Sequence, residues 1–438
     1  MNKIRAGFAV KDISPLKPIQ GRLGINHMIK PHHPICAKAA ALKNNMGTYV
    51  IIVCEIVGLT RSENSAIREI ITKAIDIPME NIVITGTHTH ASPWIWDLQD
   101  TEARKKGFKV LNREWMNKVI EQTAAAGVQA VNSMNLYSIK FGIAESNGIA
   151  SNRVAPVTRW SICADDEIRN APVGLTDPNV RVLSFHDEND TPVFIFNNLA
   201  CHPSAYGGGK TIKVSPDFPY IAENHLKDKF KKETVAAYWQ GCAGNINSGK
   251  FVKEGSEEEV LAIGDRFFEA VSEALDSATT ISGEFEYKYV KFSLPVGEFV
   301  KTPKDAREIF IAKCNEIIQK GNATDQDVFE WRRKLKQLDV SMLSDGKTME
   351  IEFQLIRFAD TDILFVPGEW YVQMYIKLAA IFPERNLIVT TLNNFDLLYV
   401  PDESSMPNKD WYGVKTDMRS LGDESAITLF KKAVEFLS

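Results

Sequence analysis

Short runs of β-branched and aromatic residues, each closed by a turn rich in Gly, Pro, Asn or Asp, dominate the hydrophobic pattern of this chain. They predict strands at Tyr49 to Val57, Asn81 to Thr85, Leu136 to Gly142, Val180 to Phe185 and Val193 to Phe196. Further strands are predicted at Ala236 to Gln240, Phe285 to Leu294, Met349 to Phe358, Ile363 to Val366 and Leu387 to Thr391. Between them a helical period predicts helices at Ser62 to Ala74, Arg113 to Asn132, Phe218 to Phe230, Ser256 to Asp276 and Asp423 to Leu437. The turns Asp187-Glu188-Asn189-Asp190 and Asp360-Thr361-Asp362 join neighbouring strands as hairpins, so the sheets cannot be wholly parallel. The expected fold class is therefore α/β, with mixed β-sheets containing hairpins and flanked by helices. Residues 303–341 read as a charged helical hairpin broken near Gly321-Asn322-Ala323, an insertion within a single domain spanning 1–438. No internal repeat or low-complexity linker divides the chain.

Five of these strands share an ending. Asn81 to Thr85 runs through Gly86 to His88 and His90, and residues two apart on an extended chain point the same way. Val193 to Leu199 leads to His202, Ile363 to Val366 leads to Glu369, and Leu387 to Thr391 leads through Asn393 and Asn394 toward Tyr399. Ala236 to Gln240 opens into Gly-Cys-Ala-Gly-Asn-Ile-Asn, ending at Asn247. Strands that each empty into a turn carrying a polar group suggest a shared rim, where sheets of this kind place ligands. With only eight histidines in 438 residues, two on one face are a concentration. Two histidines, a carboxylate and an open position suit a catalytic zinc. The plainer alternative is that both rings are capped by backbone or solvent.

In this order the motifs resemble the neutral (non-lysosomal) ceramidase family. Thr87-His88-Thr89-His90 with Pro93 is similar to that family's Gly-Thr-His-Thr-His-Ser-Gly-Pro signature. Asn152-Arg153, Thr176 to Phe185, His202-Pro203, Ser215 to Pro219, Pro367-Gly368-Glu369 and Asn394 with Tyr399-Val400 follow as further matches. The resemblance implies a ceramidase-like catalytic domain holding Zn2+ through His88, His202, Glu369 and Tyr399. It also implies His90 beside the metal, moving a proton or polarising the substrate, and Arg153 stabilising charge or orienting substrate.

Two departures modify this reading. Counting from Gln240 puts Asn247 where the family has a serine nucleophile, with Ser248 one step later. An amide is no nucleophile, although it can donate to an oxyanion. The family also carries an immunoglobulin-like domain after the catalytic one; here the chain ends with the helix at Asp423 to Leu437, so no such domain is expected. Both departures turn the expectation away from long-chain ceramide.

Composition narrows the classes. A net charge of −5 and no basic stripe argue against nucleic acid as a partner. No apolar run reaches the ~18 residues of a membrane span, so stable membrane insertion is not expected. The N-terminus lacks a signal peptide's apolar core. Six scattered cysteines (Cys36, Cys54, Cys163, Cys201, Cys242, Cys314) read as reduced core thiols of a cytoplasmic protein. Trp94 and Trp96 are candidates to line a substrate pocket, as is His33, which with His27 and His32 lies in a Pro-flanked loop; three histidines so close could bind a metal, but a rim or substrate-entry loop is the favoured reading. His186 and His225 read as surface groups. Asp217 reads as a helix N-cap, or less economically as an acceptor behind a ligand histidine.

The expected function is zinc-dependent hydrolysis of an amide (N-acyl) bond in a small acylated molecule, by a metal-activated water. Alternatives are a zinc esterase on an O-acyl substrate, and a catalytically silent metal- and ligand-binding homologue. A homo-oligomer is compatible with the sequence.

Overall fold

The computed structural model describes residues 3–20, 28–93, 113–154, 169–206, 213–253, 255–320, 325–409, 411, 413–415 and 419–438. Strands β1 (Lys3–Asp12), β2 (Ile19–Gln20), β3 (Met28–Pro31), β4 (Cys36–Lys43) and β5 (Thr48–Cys54) precede helix α1 (Arg61–Ala74). After β6 (Ile82–Gly86) come α2 (Arg113–Asn132), β7 (Asn135–Glu145), β8 (Ser151–Asn152), β9 (Asn179–His186), β10 (Pro192–Leu199) and β11 (Lys213–Val214). Then follow α3 (Phe218–Lys229), β12 (Val235–Gln240), β13 (Ile246–Asn247), α4 (Glu257–Asp276), β14 (Thr279–Ile281) and β15 (Glu286–Pro295). The hairpin α5 (Pro303–Lys320) and α6 (Asp325–Ser341) leads to β16 (Thr348–Arg357), β17 (Thr361–Phe365), β18 (Glu369–Trp370) and α7 (Val372–Ile381). The chain closes with β19 (Asn386–Thr390), β20 (Tyr399–Val400) and α8 (Asp423–Leu437).

Alternate strand residues face opposite layers, which explains the layering. The large sheet runs β12-β10-β9-β7-β1-β4-β5-β6, with β14 added to β7, and a second sheet runs β15-β16-β17-β19. One face of the large sheet, including Ile51, Val53, Leu183, Phe185, Phe194, Phe196 and Trp239, packs against Ile356, Phe358, Ile363, Phe365 and Ile388 of the second. Phe196 stacks on Trp239 at 3.8 Å between centroids, and Trp239 meets Phe365 edge-on at 5.9 Å. The alternate residues of the large sheet pack under α1 and α2 at one end and under α3 and α4 at the other. Those of the second sheet pack under α7 and α8. The result is four layers, helix–sheet–sheet–helix, with both sheets buried on both faces.

Both sheets are mixed, as the hairpin turns require. The β9–β10 and β16–β17 pairs are antiparallel, whereas β5–β6, β10–β12 and β17–β19 are parallel. The parallel pairs aim the ends of β6, β10, β12, β17 and β19 at one rim. There the loop after β19 joins the two edges of the large sheet. Thr391 N donates to Gln240 O at the end of β12, while Asn394 N donates to Ile84 O on β6 and Asn394 Oδ1 accepts from Ile84 N.

The ten expected strands and all the expected helices are present; β1, β4, α7 and the eight short strands β2, β3, β8, β11, β13, β14, β18 and β20 are additional. β4 reads Cys-Ala-Lys-Ala-Ala-Ala-Leu-Lys, a composition that favours helix. It is extended because Ala37, Ala39 and Ala41 face the α1–α2 layer while Ala40 and Leu42 face the second sheet, where only small side chains fit. The hairpin α5–α6 buries Phe310, Cys314 and Leu335 in the core it shares with α1 and α2. Its Lys336 also reaches Asp396 at 2.9 Å, just before Tyr399.

One charge is fully enclosed. Lys38 on β4 donates to Glu55 at 2.6 Å, to Glu223 of α3 at 2.6 Å and to Ala236 O at 2.8 Å. Lys38→Met leaves two buried carboxylates facing each other, and the cost expected from breaking such a cluster is about 3–5 kcal/mol. Urea unfolding of the variant measures it; a loss below about 1 kcal/mol shows that the carboxylates take up protons or water instead.

Candidate metal centre

Each expected side chain at the rim is set by local backbone. β6 ends at Gly86, where a Cβ would lie 2.8 Å from Gly58 Cα, so only glycine lets the two segments cross. His88 follows in the left-handed region (φ 63°), a strained setting for a non-glycine residue that turns its ring inward. Its Nδ1 lies 2.6 Å from Val57 O. His202, one bridge from Asn247, has Nδ1 2.8 Å from Ile246 O. Glu369 opens β18, and its Oε2 stands 3.4 Å from His88 Nε2 and 3.1 Å from His202 Nε2. His90 completes the cluster, its ring 5.3 Å from each of the other two, with its backbone N bonded to Pro203 O. All four residues are buried.

The hydrogen bonds fix the protonation logic. A carbonyl oxygen only accepts, so Val57 O and Ile246 O hold the proton of each ring on Nδ1. Both Nε2 atoms then present lone pairs to the same carboxylate oxygen, three acceptors with no donor between them. Protonating His202 is a poor remedy, because burial, reinforced by the Arg153 guanidinium, pushes its pKa down to about 3. Burial would raise the Glu369 carboxyl, but the His88 and His202 rings beside it outweigh that and hold it well below the usual range. A cation held between the three groups resolves the conflict. Zinc bonds of 2.0–2.1 Å in a tetrahedron separate neighbouring ligand atoms by about 3.3 Å, close to both spacings seen here. The ligand atoms of His88, His90 and His202 also lie within 4.8 Å of one another. The donor set therefore fits a zinc-type dication.

Tyr399 joins the site through β20, paired in parallel with β18 so that Glu369 and Tyr399 are register partners. Arg153 Nη2 donates to Tyr399 Oη at 3.0 Å and to Gly244 O at 2.6 Å. The phenol oxygen accepts there, so its own proton points elsewhere. Gly244 is needed because a Cβ would meet Glu369 O at 2.4 Å. Asn247 is buried on β13, and its Oδ1 accepts from Gly249 N at 2.9 Å, fixing the amide within its turn. Ser248 is also buried, and its Oγ has no partner among the described residues.

The other expectations fall differently. Trp94 and Trp96 lie outside the described residues, as does His27. His33 is not in the cluster; its Nδ1 lies 3.0 Å from Ser215 Oγ, and Ser215 O accepts from Thr89 Oγ1, so it reaches the His88–His90 loop through one intermediary. Burial, then the nearby His32, lowers its pKa to about 4. His186 is buried, contrary to the surface reading, because β9 needs it between Ser184 Oγ at 2.8 Å and Asp190 O at 3.0 Å. Asp217 is the N-cap of α3, accepting from Phe218 N and Tyr206 N, and not an acceptor for a ligand histidine. Cys201 and Cys242 are buried free thiols whose pKa burial pushes up, which fits core residues better than ligands. Sequence reasoning missed the Val57 and Ile246 carbonyls that orient the two rings, since backbone groups leave no mark on residue identity.

No family model and no curated protein matches the sequence. Among solved structures, the chain is similar to the neutral ceramidase of Pseudomonas aeruginosa, with 16% identity and a TM-score of 0.71 over 99% of this chain and 74% of that one. A ceramidase complexed with C2 matches at 15% identity and a TM-score of 0.69, again over 99% and 74%. The fold is neutral ceramidase-like.

Glu369→Gln removes the charge that the two Nε2 atoms face, and bound zinc, measured by elemental analysis after dialysis, is expected to fall at least tenfold, as for His88→Ala and His202→Ala. His90→Ala is expected to keep its zinc. If His90→Ala empties the centre while His88→Ala does not, the two histidines have exchanged roles.

Proposed function

We propose that this chain is a zinc-dependent hydrolase of the amide bond in a small N-acylated substrate. The observation that carries the reading is the acceptor-only meeting of His88, His202 and Glu369, set in a fold shared with ceramidases. Zinc bound there supplies a Lewis acid for the acyl carbonyl and lowers the pKa of water toward neutrality. The residues of the chain supply the rest. Glu369 contributes negative charge and the two histidines neutral nitrogen. Tyr399, held by Arg153, stands next to Glu369 in register, placed to bind the metal or donate to a developing oxyanion. His90 is the group assigned to pass a proton to the leaving amine, because its ring borders both ligand rings at 5.3 Å.

No side chain at position 247 can form an acyl-enzyme, since it is an amide committed to its own turn. A direct attack by water is therefore the reading, with Asn247 as a wall of the site. An esterase on an O-acyl substrate uses the same groups and differs only in the leaving group, which needs less help from His90. Small acylated molecules are the proposed substrates, in preference to long-chain ceramide.

The test is turnover on a panel of N-acyl and O-acyl compounds with the metal removed and restored. Chelation is expected to abolish hydrolysis of the amides, and one equivalent of zinc to restore it; zinc retained with no turnover on a broad panel leaves only the silent binder. Ser248→Ala is expected to change kcat by less than about threefold, whereas His90→Ala is expected to lower it by about 10²-fold or more. An acyl group trapped on Ser248 in intact-mass analysis refutes the direct-water route. Arg153→Lys is expected to lower kcat/KM by about tenfold or more with zinc retained, because the shorter lysine side chain cannot bring its ammonium to the Nη2 position that bonds Tyr399 Oη and Gly244 O.

A further inference from the structure

A second group of potential ligands lies at the parallel pairing of β3 and β11, outside the buried centre. Lys30 and Pro31 pair with Lys213 and Val214, which carries His32 and His33 beside Lys213. Glu257, the first residue of α4, faces them. The ligand atoms of His32, His33 and Glu257 all lie within 4.8 Å of one another. His32 Nε2 is 3.4 Å from each Glu257 oxygen. That is long for a hydrogen bond but near the edge of a zinc tetrahedron. The two imidazoles are drawn to one side, with centroids 4.0 Å apart, and His33 is backed by Tyr220 at 4.3 Å. Tyr206 bonds Glu257 and closes the far side.

A cation already sits in this seat. The Lys213 ammonium contacts Glu257 Oε2, lies 3.4 Å from His32 Nε2 and stands 5.3 Å from the Tyr206 ring centre. Its side chain is 35% exposed, so it can swing into solvent without unfolding anything. Two imidazoles and one carboxylate form a donor set that suits zinc-class divalent ions better than hard ones.

We propose that His32, His33 and Glu257 form a second, weaker binding site for a zinc-class divalent cation, and that Lys213 is the built-in competitor for it. The seat is chemically separate from the centre at Glu369 and does not depend on the hydrolase reading.

The test strips the full chain of metal and titrates it with Zn2+ in equilibrium dialysis, with the fold checked by circular dichroism. The wild type is expected to bind about two ions per chain, one tightly and one weakly. His88→Ala is expected to lose only the tight ion, so the weak seat is read alone in that background. Glu257→Gln and His32→Ala are expected to lose only the weak ion. Lys213→Met is expected to tighten the weak ion by about tenfold, the scale of an outer partner's effect on metal affinity. If folded Lys213→Met takes up only the tight ion, or if Glu257→Gln leaves the weak ion in place, the inference is overturned and His32, His33 and Glu257 hold no metal.

Discussion

Two imidazole lone pairs and a carboxylate are held face to face among buried side chains, and much of the molecule serves to keep them so. Neither ring can rotate away, because each is anchored through Nδ1 to a backbone carbonyl, Val57 O or Ile246 O. Glu369 cannot withdraw, because β18 is pinned against β20 and Gly244 packs on its carbonyl. Such an arrangement is repulsive unless a positive charge sits between the groups. A cation bound between the groups would relieve that repulsion and stabilise the fold.

The rim that carries these groups depends on a loop that behaves like a missing strand. Thr391 to Asn394 bonds to β12 on one side and β6 on the other, so two edges far apart in the sheet order are tied at the site. Much of the backbone strain gathers here. His88, Leu392, Asn394 and Leu398 all have positive φ without being glycine. Residues in that region persist only where the surroundings over-determine them. The hydrogen bonds from β6, β12 and β18 provide that determination.

Position 247 separates this site chemically from one built around a serine. Asn247 is bridged to His202, which sets its backbone beside the histidine cluster. What differs is one side chain that accepts from its own turn in place of presenting a hydroxyl. On the proposed reading the site does not need that hydroxyl, since water can serve as the nucleophile.

The sequence by itself determined the alternation that buries both sheet faces, the hairpins that make the sheets mixed, and the strand ends that carry His88, His90, His202, Glu369 and Tyr399. These are local properties: period, turn chemistry and residue type sit within a few positions of one another. It did not reveal β4, because alanines chosen for a narrow space between a helix layer and a sheet look like helix when that space is unseen. Nor did it distinguish His186, buried between Ser184 and Asp190, from a surface histidine. It grouped His33 with His32 near the site, but only the tertiary structure showed that Ser215 stands between His33 and the His88–His90 loop and that Glu257 joins the two histidines. Which lone pairs face the same carboxylate was decided by carbonyls from residues 31 and 44 positions away. Such distant backbone partners are set by how sheets stack, which no local pattern encodes.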